Sequence, residues 1–308
     1  MRCCGTCYIR AVTAIWHAIL LGLERLSTAR PSYVVAALAL YIVSLWIVGA
    51  RWRNFVVALG GSVGVWRATL ATLGGIAAGN LTPSSRLAGE ACRIALGRLG
   101  GTVTWRQATV ATLWDRVTEL PPVVVLVVMA AVAVRNLMST PRSIALAVAL
   151  SVGLIGGAVA VRAIRKSNLR LAGWRARLAL DAISGRVFAI GVGYSCLLWL
   201  QDFLRLTCAS LAFGLTLSPE QIAALSVLAM LGGLVPTIGG LGAVEGGLVS
   251  GLMAFGVDLP TATAVTAVER AISYGLSTCA GLIVIALLGG RSLWSARGAL
   301  GAAPRQVA

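Results

Sequence analysis

The sequence predicts an all-α polytopic membrane protein, built as an inverted-topology repeat with two re-entrant broken-helix hairpins and about six full transmembrane helices. Three observations predict it. The 308 residues are 58% hydrophobic and only 12% charged, with a mean hydropathy of +0.89. A soluble domain carries about twice that share of charge. Two apolar stretches are interrupted by proline, glycine and an acid, and the order of features around the first interruption returns around the second.

Residues 8–23 follow a basic start and form a short apolar segment that resembles a signal peptide. No small-residue cleavage site follows, so they count as a first helix. The next span runs over 33–50 and is closed by Arg51, Trp52 and Arg53, which read as an interfacial anchor. From Val63 to Gly79 a shorter apolar piece leads into Asn80, Pro83, Gly89 and Glu90, the first interruption.

A long span over 104–134 carries Asp115, Arg116 and Glu119 ahead of Pro121 and Pro122. Residues 142–161 cross again and end in the loop 162–186, which holds seven basic residues and one acid. The second half opens on a span over 187–215. It continues through a polar turn at Ser218, Pro219 and Glu220 to a half-span over 221–235.

Residues 231–251, LGGLVPTIGGLGAVEGGLVSG, form the second interruption, with seven glycines in the first seventeen residues together with Pro236 and Glu245. A glycine costs a helix interior about 1 kcal/mol relative to alanine, and a proline about 3, so the helix is expected to break at Pro236. Broken backbone at membrane depth survives only where protein or a water-filled cavity satisfies it, and an acid there faces a partner charge or a polar path. Close helix packing is the alternative, since Gly242/Gly246 and Gly247/Gly251 both have GxxxG spacing. The last span, 262–290, carries Glu269 and Arg270 and precedes a tail over 291–308.

The two halves, about 33–134 and 187–290 of one integral membrane domain, share a plan. Pro83 is followed by Glu90 at seven residues and by Arg116 at 33; Pro236 is followed by Glu245 at nine and by Arg270 at 34. Placing the basic loop and the tail, with Arg291, Arg297 and Arg305, on the cytoplasmic side sets both termini inside. The first hairpin then enters from the cytoplasm and the second from outside. Arg25 and Arg30 fall outside in this scheme, against the charge rule.

The formal charge of +16 flanks apolar spans, which fits membrane topology and anionic headgroups and not nucleic acid. Of the seven cysteines only Cys4 and Cys7 have CxxC spacing, and His17 is the single histidine, so neither a metal site nor another cofactor is expected. Cys3, Cys4 and Cys7 read as an incidental or acylated tail. The expected partner is a membrane lipid at the repeat interface, with a homo-oligomer as an option. Helix ends freed by the breaks attract anions, and arginine grips phosphate in a bidentate way. Arg86, Arg116 and Arg270 are the expected headgroup ligands, backed by Arg93, with Glu90, Glu245 and Glu269 as their partners or proton carriers. The structural alternative is that Asp115-Arg116 and Glu269-Arg270 form buried ion pairs with other helices.

The runs ARWRN at 50–54, GNLTPSSRLAGEACRIALGRLGG, WDR at 114–116, and LVPTIGGLGAVEGG followed by ERA resemble the flippase-like membrane region of the lysylphosphatidylglycerol synthase family over roughly 33–290. The resemblance implies lipid movement: of aminoacylated phosphatidylglycerol in two-domain members, and of polyprenyl-linked glycolipids or hopanoids in other branches. It carries over Asn80, Pro83, Gly89, Glu90 and Arg93 in the first motif, and Pro236, Gly239, Gly240, Gly242 and Glu245 in the second, with Arg116 and Arg270 in the helices that follow. This sequence departs in having no soluble aminoacyl-transferring domain, and in Ser84, Ser85 and Arg86 where a glycine-richer turn is expected. The expected protein is therefore a cell-membrane lipid transporter and not an enzyme. One rival is a polyprenyl-diphosphate phosphatase using Ser84 or Ser85 as nucleophile, Arg86 on phosphate and Glu90 as acid or base. Another is a membrane scaffold that only positions a partner enzyme.

Overall fold

The computed structural model describes residues 24–83, 85–99, 102–137 and 182–288. The expected helices over 8–23 and 142–161, the tail, Cys3, Cys4, Cys7, His17 and Ser84 lie outside the described residues, as does most of the basic loop. The side chains of Ser85 and Arg86 do so as well. Among the described residues the chain is all-helical.

Helix α1, Pro31–Ala58, starts on a proline at its first turn, where the missing N–H costs nothing. It ends where Gly60 turns the chain at φ +79°. Helices α2 (Val65–Asn80) and α3 (Ser85–Arg98) form the first interrupted pair. Helix α4, Trp105–Val117, opens on a capping box in which Gln107 N donates to Thr104 Oγ1 and Thr104 N to Gln107 Oε1. A two-residue turn at Thr118 and Glu119 separates it from α5, Leu120–Leu137, whose first turn absorbs Pro121 and Pro122.

Helix α6, Gly185–Leu211, is capped by Ser184, and α7, Pro219–Gly232, by a second capping box between Ser218 and Gln221. The chain then leaves the α-helix for ten residues. That stretch contains a single 3₁₀ turn at Ile238–Gly240 and left-handed glycines at 239, 240 and 242. Helix α8, Ala243–Ala254, folds back on α7. Helix α9, Leu259–Arg270, is capped by Asp258 and continues through a π-turn, Ala271–Leu276, to Leu288. The expected breaks at Pro83 and Pro236 are therefore present, and the π-turn is a feature the sequence did not announce.

Among the described residues, four helical stretches are long and apolar enough to cross a membrane: Pro31–Ala58, Trp105–Ala133, Gly185–Leu211 and Leu259–Leu288. They coincide with the four full spans expected in the described region. Helices α1 and α6 pack along each other at the centre, α2 lies against α3, and α7 lies against both α8 and α5. Trp52, Phe55 and Val103 anchor the core of the first half, and Ile222, Leu225 and Leu248 that of the second.

Close backbone approach sets the α2–α3 pair. A Cβ on Gly75 would stand 2.7 Å from the carbonyl oxygen of Gly89, and one on Gly89 would stand 2.8 Å from that of Gly75. Gly75→Ala or Gly89→Ala is expected to lower the melting temperature of the purified protein, by the equivalent of about 1–3 kcal/mol. Gly246→Ala, with nothing within 4 Å, should leave it unchanged or raise it. The GxxxG alternative holds for one pair only. A Cβ on Gly251 would meet Leu225 and Leu228, and one on Gly247 the Leu228 backbone, whereas one on Gly242 or Gly246 would meet nothing within 4 Å.

Candidate functional site

Charge inside the helical bundle must be paired, and the pairing here draws four helices together. Asp115 of α4, fully buried, receives Arg51 Nε of α1 at 2.6 Å and Arg93 Nη1 of α3 at 2.9 Å. Arg51 is itself 2% exposed, and all three of its nitrogens are used: Nη2 also reaches Glu119 at 2.6 Å, and Nη1 donates to Ser195 of α6 at 2.9 Å. Arg116, half exposed, joins Glu90 to Glu119, and Arg93 makes a 2.7 Å ionic contact with Glu90. Three arginines and three carboxylates thus close a network.

The second half repeats the motif with fewer members. Arg205 of α6 contacts Glu269 of α9 at 3.1 Å, donates to Asp202 at 2.9 Å and stacks 5.4 Å over the Tyr41 ring. Arg270 Nε donates to Glu245 at 2.7 Å. The other oxygen of Glu245 accepts the N–H of Gly242 at 2.7 Å, so the carboxylate occupies the positive end of α8. Adjacent residues on one helix diverge, so Asp115 and Arg116 find separate partners, as do Glu269 and Arg270.

The two breaks touch. Tyr274 Oη donates to the Asn80 carbonyl at 2.9 Å, and a Cβ on Gly239 would stand 2.6 Å from that same oxygen. Around this contact lie two cavities of about 450 and 540 Å³. The first is flanked by Arg51, Glu90 and Arg93, the second by Arg205, Glu269 and Arg270, and Arg116, Glu119, Trp199, Asp202, Gly233 and Gly239 line both. They are two lobes of one interior space, mostly apolar in lining but carrying these charged side chains.

Of the residues expected from the sequence, Glu90, Arg93, Arg116, Gly239, Glu269 and Arg270 line these lobes. Glu245 reaches the second through Arg270. Asn80 lines the first, but its amide is engaged by Ser277 and Thr278 at 3.3 and 2.8 Å. Pro83 and Pro236 are exposed and act through the backbone, while Gly240 and Gly242 supply positive φ. Arg51 and Trp52 correct the interfacial-anchor reading. Helix α1 runs on past residue 50 to Ala58, which carries both into the core and leaves Arg53 exposed.

Arg205, Asp202 and Tyr41 were missed. Their signal was present: Arg51 precedes Asp115 by 64 residues, and Arg205 precedes Glu269 by the same interval.

Residues 14–281 match the family model described as the lysylphosphatidylglycerol synthase TM region. The chain belongs to that family. Within the lysylphosphatidylglycerol synthase TM region family it is similar to a UPF0104 membrane protein of Methanothermobacter thermautotrophicus, with 28% identity over 86% of this chain and 88% of that protein. It is also similar to a UPF0104 membrane protein of Pyrococcus horikoshii, with 22% identity over 88% and 91% respectively.

Proposed function

We propose that this membrane protein is a flippase-like transporter. It moves an anionic lipid, either a phospholipid or a polyprenyl-linked glycolipid, across the cell membrane with the headgroup bound between the two broken elements. The observation that carries this reading is the two-lobed, charge-lined interior at their contact, where half-exposed Arg116 and partly buried Arg270 pair with displaceable carboxylates. A headgroup phosphate makes the same contacts that Glu245 makes with Arg270 and the α8 N-terminus. Exposed Leu234, Val235, Ile238 and Leu241 at the second break offer an apolar surface to acyl chains beside that site.

The inverted repeat belongs to the same proposal. One offset relates Tyr41 to Ser195, Arg51 to Arg205, Asp115 to Glu269 and Arg116 to Arg270. The interactions cross over accordingly: Arg51 of the first half uses Ser195 of the second, and Arg205 of the second uses Tyr41 of the first. Such reciprocity is expected of two halves related by a pseudo-two-fold axis, which lets one rock against the other around a fixed site. Both termini are cytoplasmic in this scheme.

The test is dithionite quenching of fluorescent phosphatidylglycerol in liposomes containing the purified protein. Arg116→Ala, Arg270→Ala and Glu245→Gln should each slow lipid movement at least about tenfold, as loss of a charge-assisted contact made in transit predicts. Wild-type rates in all three, with normal insertion, overturn the proposal.

A further inference from the structure

The correspondence between halves extends one position further, and there the two differ. Glu119, three residues after Arg116, holds Arg51; the position three residues after Arg270 is Ser273. In the first half, then, the buried arginine is completed by the protein's own carboxylate. In the second, its counterpart Arg205 pairs with Asp202 and Glu269, and the position that matches Glu119 carries a hydroxyl in place of a carboxylate.

Unmet donors are found on Arg93 in the first half too, but Arg51 has none, whereas its counterpart Arg205 and the neighbouring Ser273 position have three. Arg205, 8% exposed, has no acceptor for Nε, and its Nη1 contact with Glu269 lacks hydrogen-bond geometry. The Ser273 hydroxyl is buried and also without a partner, while its backbone carbonyl accepts from Tyr41 Oη at 3.2 Å and from Ser277 Oγ at 2.6 Å. Both side chains line the second lobe. Tyr41 ties them together, its ring under the Arg205 guanidinium and its hydroxyl on the Ser273 backbone. Ser273 also sits inside the π-turn, an irregularity frequent at functional sites. An unsatisfied buried donor costs free energy in the empty protein, so each one needs a reason.

We infer that Arg205 and Ser273, with Arg270 alongside, form a phosphate or phosphodiester subsite in the second lobe, the ligand's oxygens standing where Glu119 stands in the first. This deepens the transport reading and rests on it for the identity of the ligand as a lipid. Asp202 is the built-in competitor. It holds Arg205 from a half-exposed side chain three residues away on the same helix, a weak pairing that an arriving anion displaces.

Binding of dioctanoyl phosphatidylglycerol to the full-length protein in detergent, followed by calorimetry, tests the subsite. Ser273→Ala keeps the carbonyl that Tyr41 and Ser277 use, and removes only the unpartnered hydroxyl. It should weaken binding about fivefold while leaving the lipid-free melting temperature unchanged or higher, which a merely structural serine would not do. Asp202→Asn should tighten binding severalfold. Competition by inorganic phosphate would support a site open to free anion; absence of competition would support a headgroup site. No binding by the wild type, or wild-type affinity in Ser273→Ala, overturns the subsite even if lipid movement still depends on Arg116 and Arg270. Binding that depends on Ser273 without lipid movement would overturn the transport reading and leave the subsite standing.

Discussion

Asp115→Ala is expected to be the most destabilising single substitution in this protein, lowering stability by about 3–5 kcal/mol. The carboxylate is fully buried and stands between two guanidinium groups, Arg51 and Arg93, that are each 2% exposed. Among the described residues, removing it leaves Glu119 as the one remaining acid on Arg51 and Glu90 as the one on Arg93. An uncompensated charge away from water costs far more than the intact pair contributes, which is why the loss is large although the pair itself adds little net stability. Asp202→Ala is the matched comparison. Its side chain is 46% exposed, so water takes over its role and the loss should stay within about 1 kcal/mol. Thermal unfolding of the two variants in the same detergent checks the contrast. Equal shifts would mean that the first-half network is solvated.

That network also explains what the sequence could and could not disclose. The breaks were legible because proline and left-handed glycine are local requirements: Pro236, Gly239, Gly240 and Gly242 interrupt a helix whatever surrounds them. That Glu90 and Glu245 would pair with arginines was legible because charges inside an apolar protein must meet; which arginine each one meets, Arg116 and Arg270, is set by the fold. Arg51 was misread because an arginine after an apolar run looks the same at a membrane surface as one turn deeper in a longer helix. Only the packing of α1 on α6 distinguishes them. The π-turn had only a weak local signal, the single Gly275 within Ala271–Leu276, which disfavours a helix without specifying a π-turn.

Gly239→Ala should abolish lipid movement, to below about a tenth of the wild-type rate, because it acts on the contact between the two breaks. Gly239 has φ +59°, which an alanine tolerates at a cost of about 1–2 kcal/mol. Its Cβ would also stand 2.6 Å from the Asn80 carbonyl oxygen, a backbone atom that already accepts the Tyr274 hydroxyl and cannot yield as a flexible side chain would. The two breaks must then separate, and the Arg270 Nη2 contact with the Gly239 carbonyl at 3.4 Å separates with them. Gly242→Ala isolates the backbone term: at φ +84° and ψ -44° it lies further from the left-handed region than Gly239 and carries at least as much strain, with nothing within 4 Å of its added Cβ. Transport in that variant should fall only as far as its stability does. If the two alanines slowed lipid movement equally, strain alone would account for the effect. The contact between the breaks would then be a packing detail and not the place where the headgroup passes.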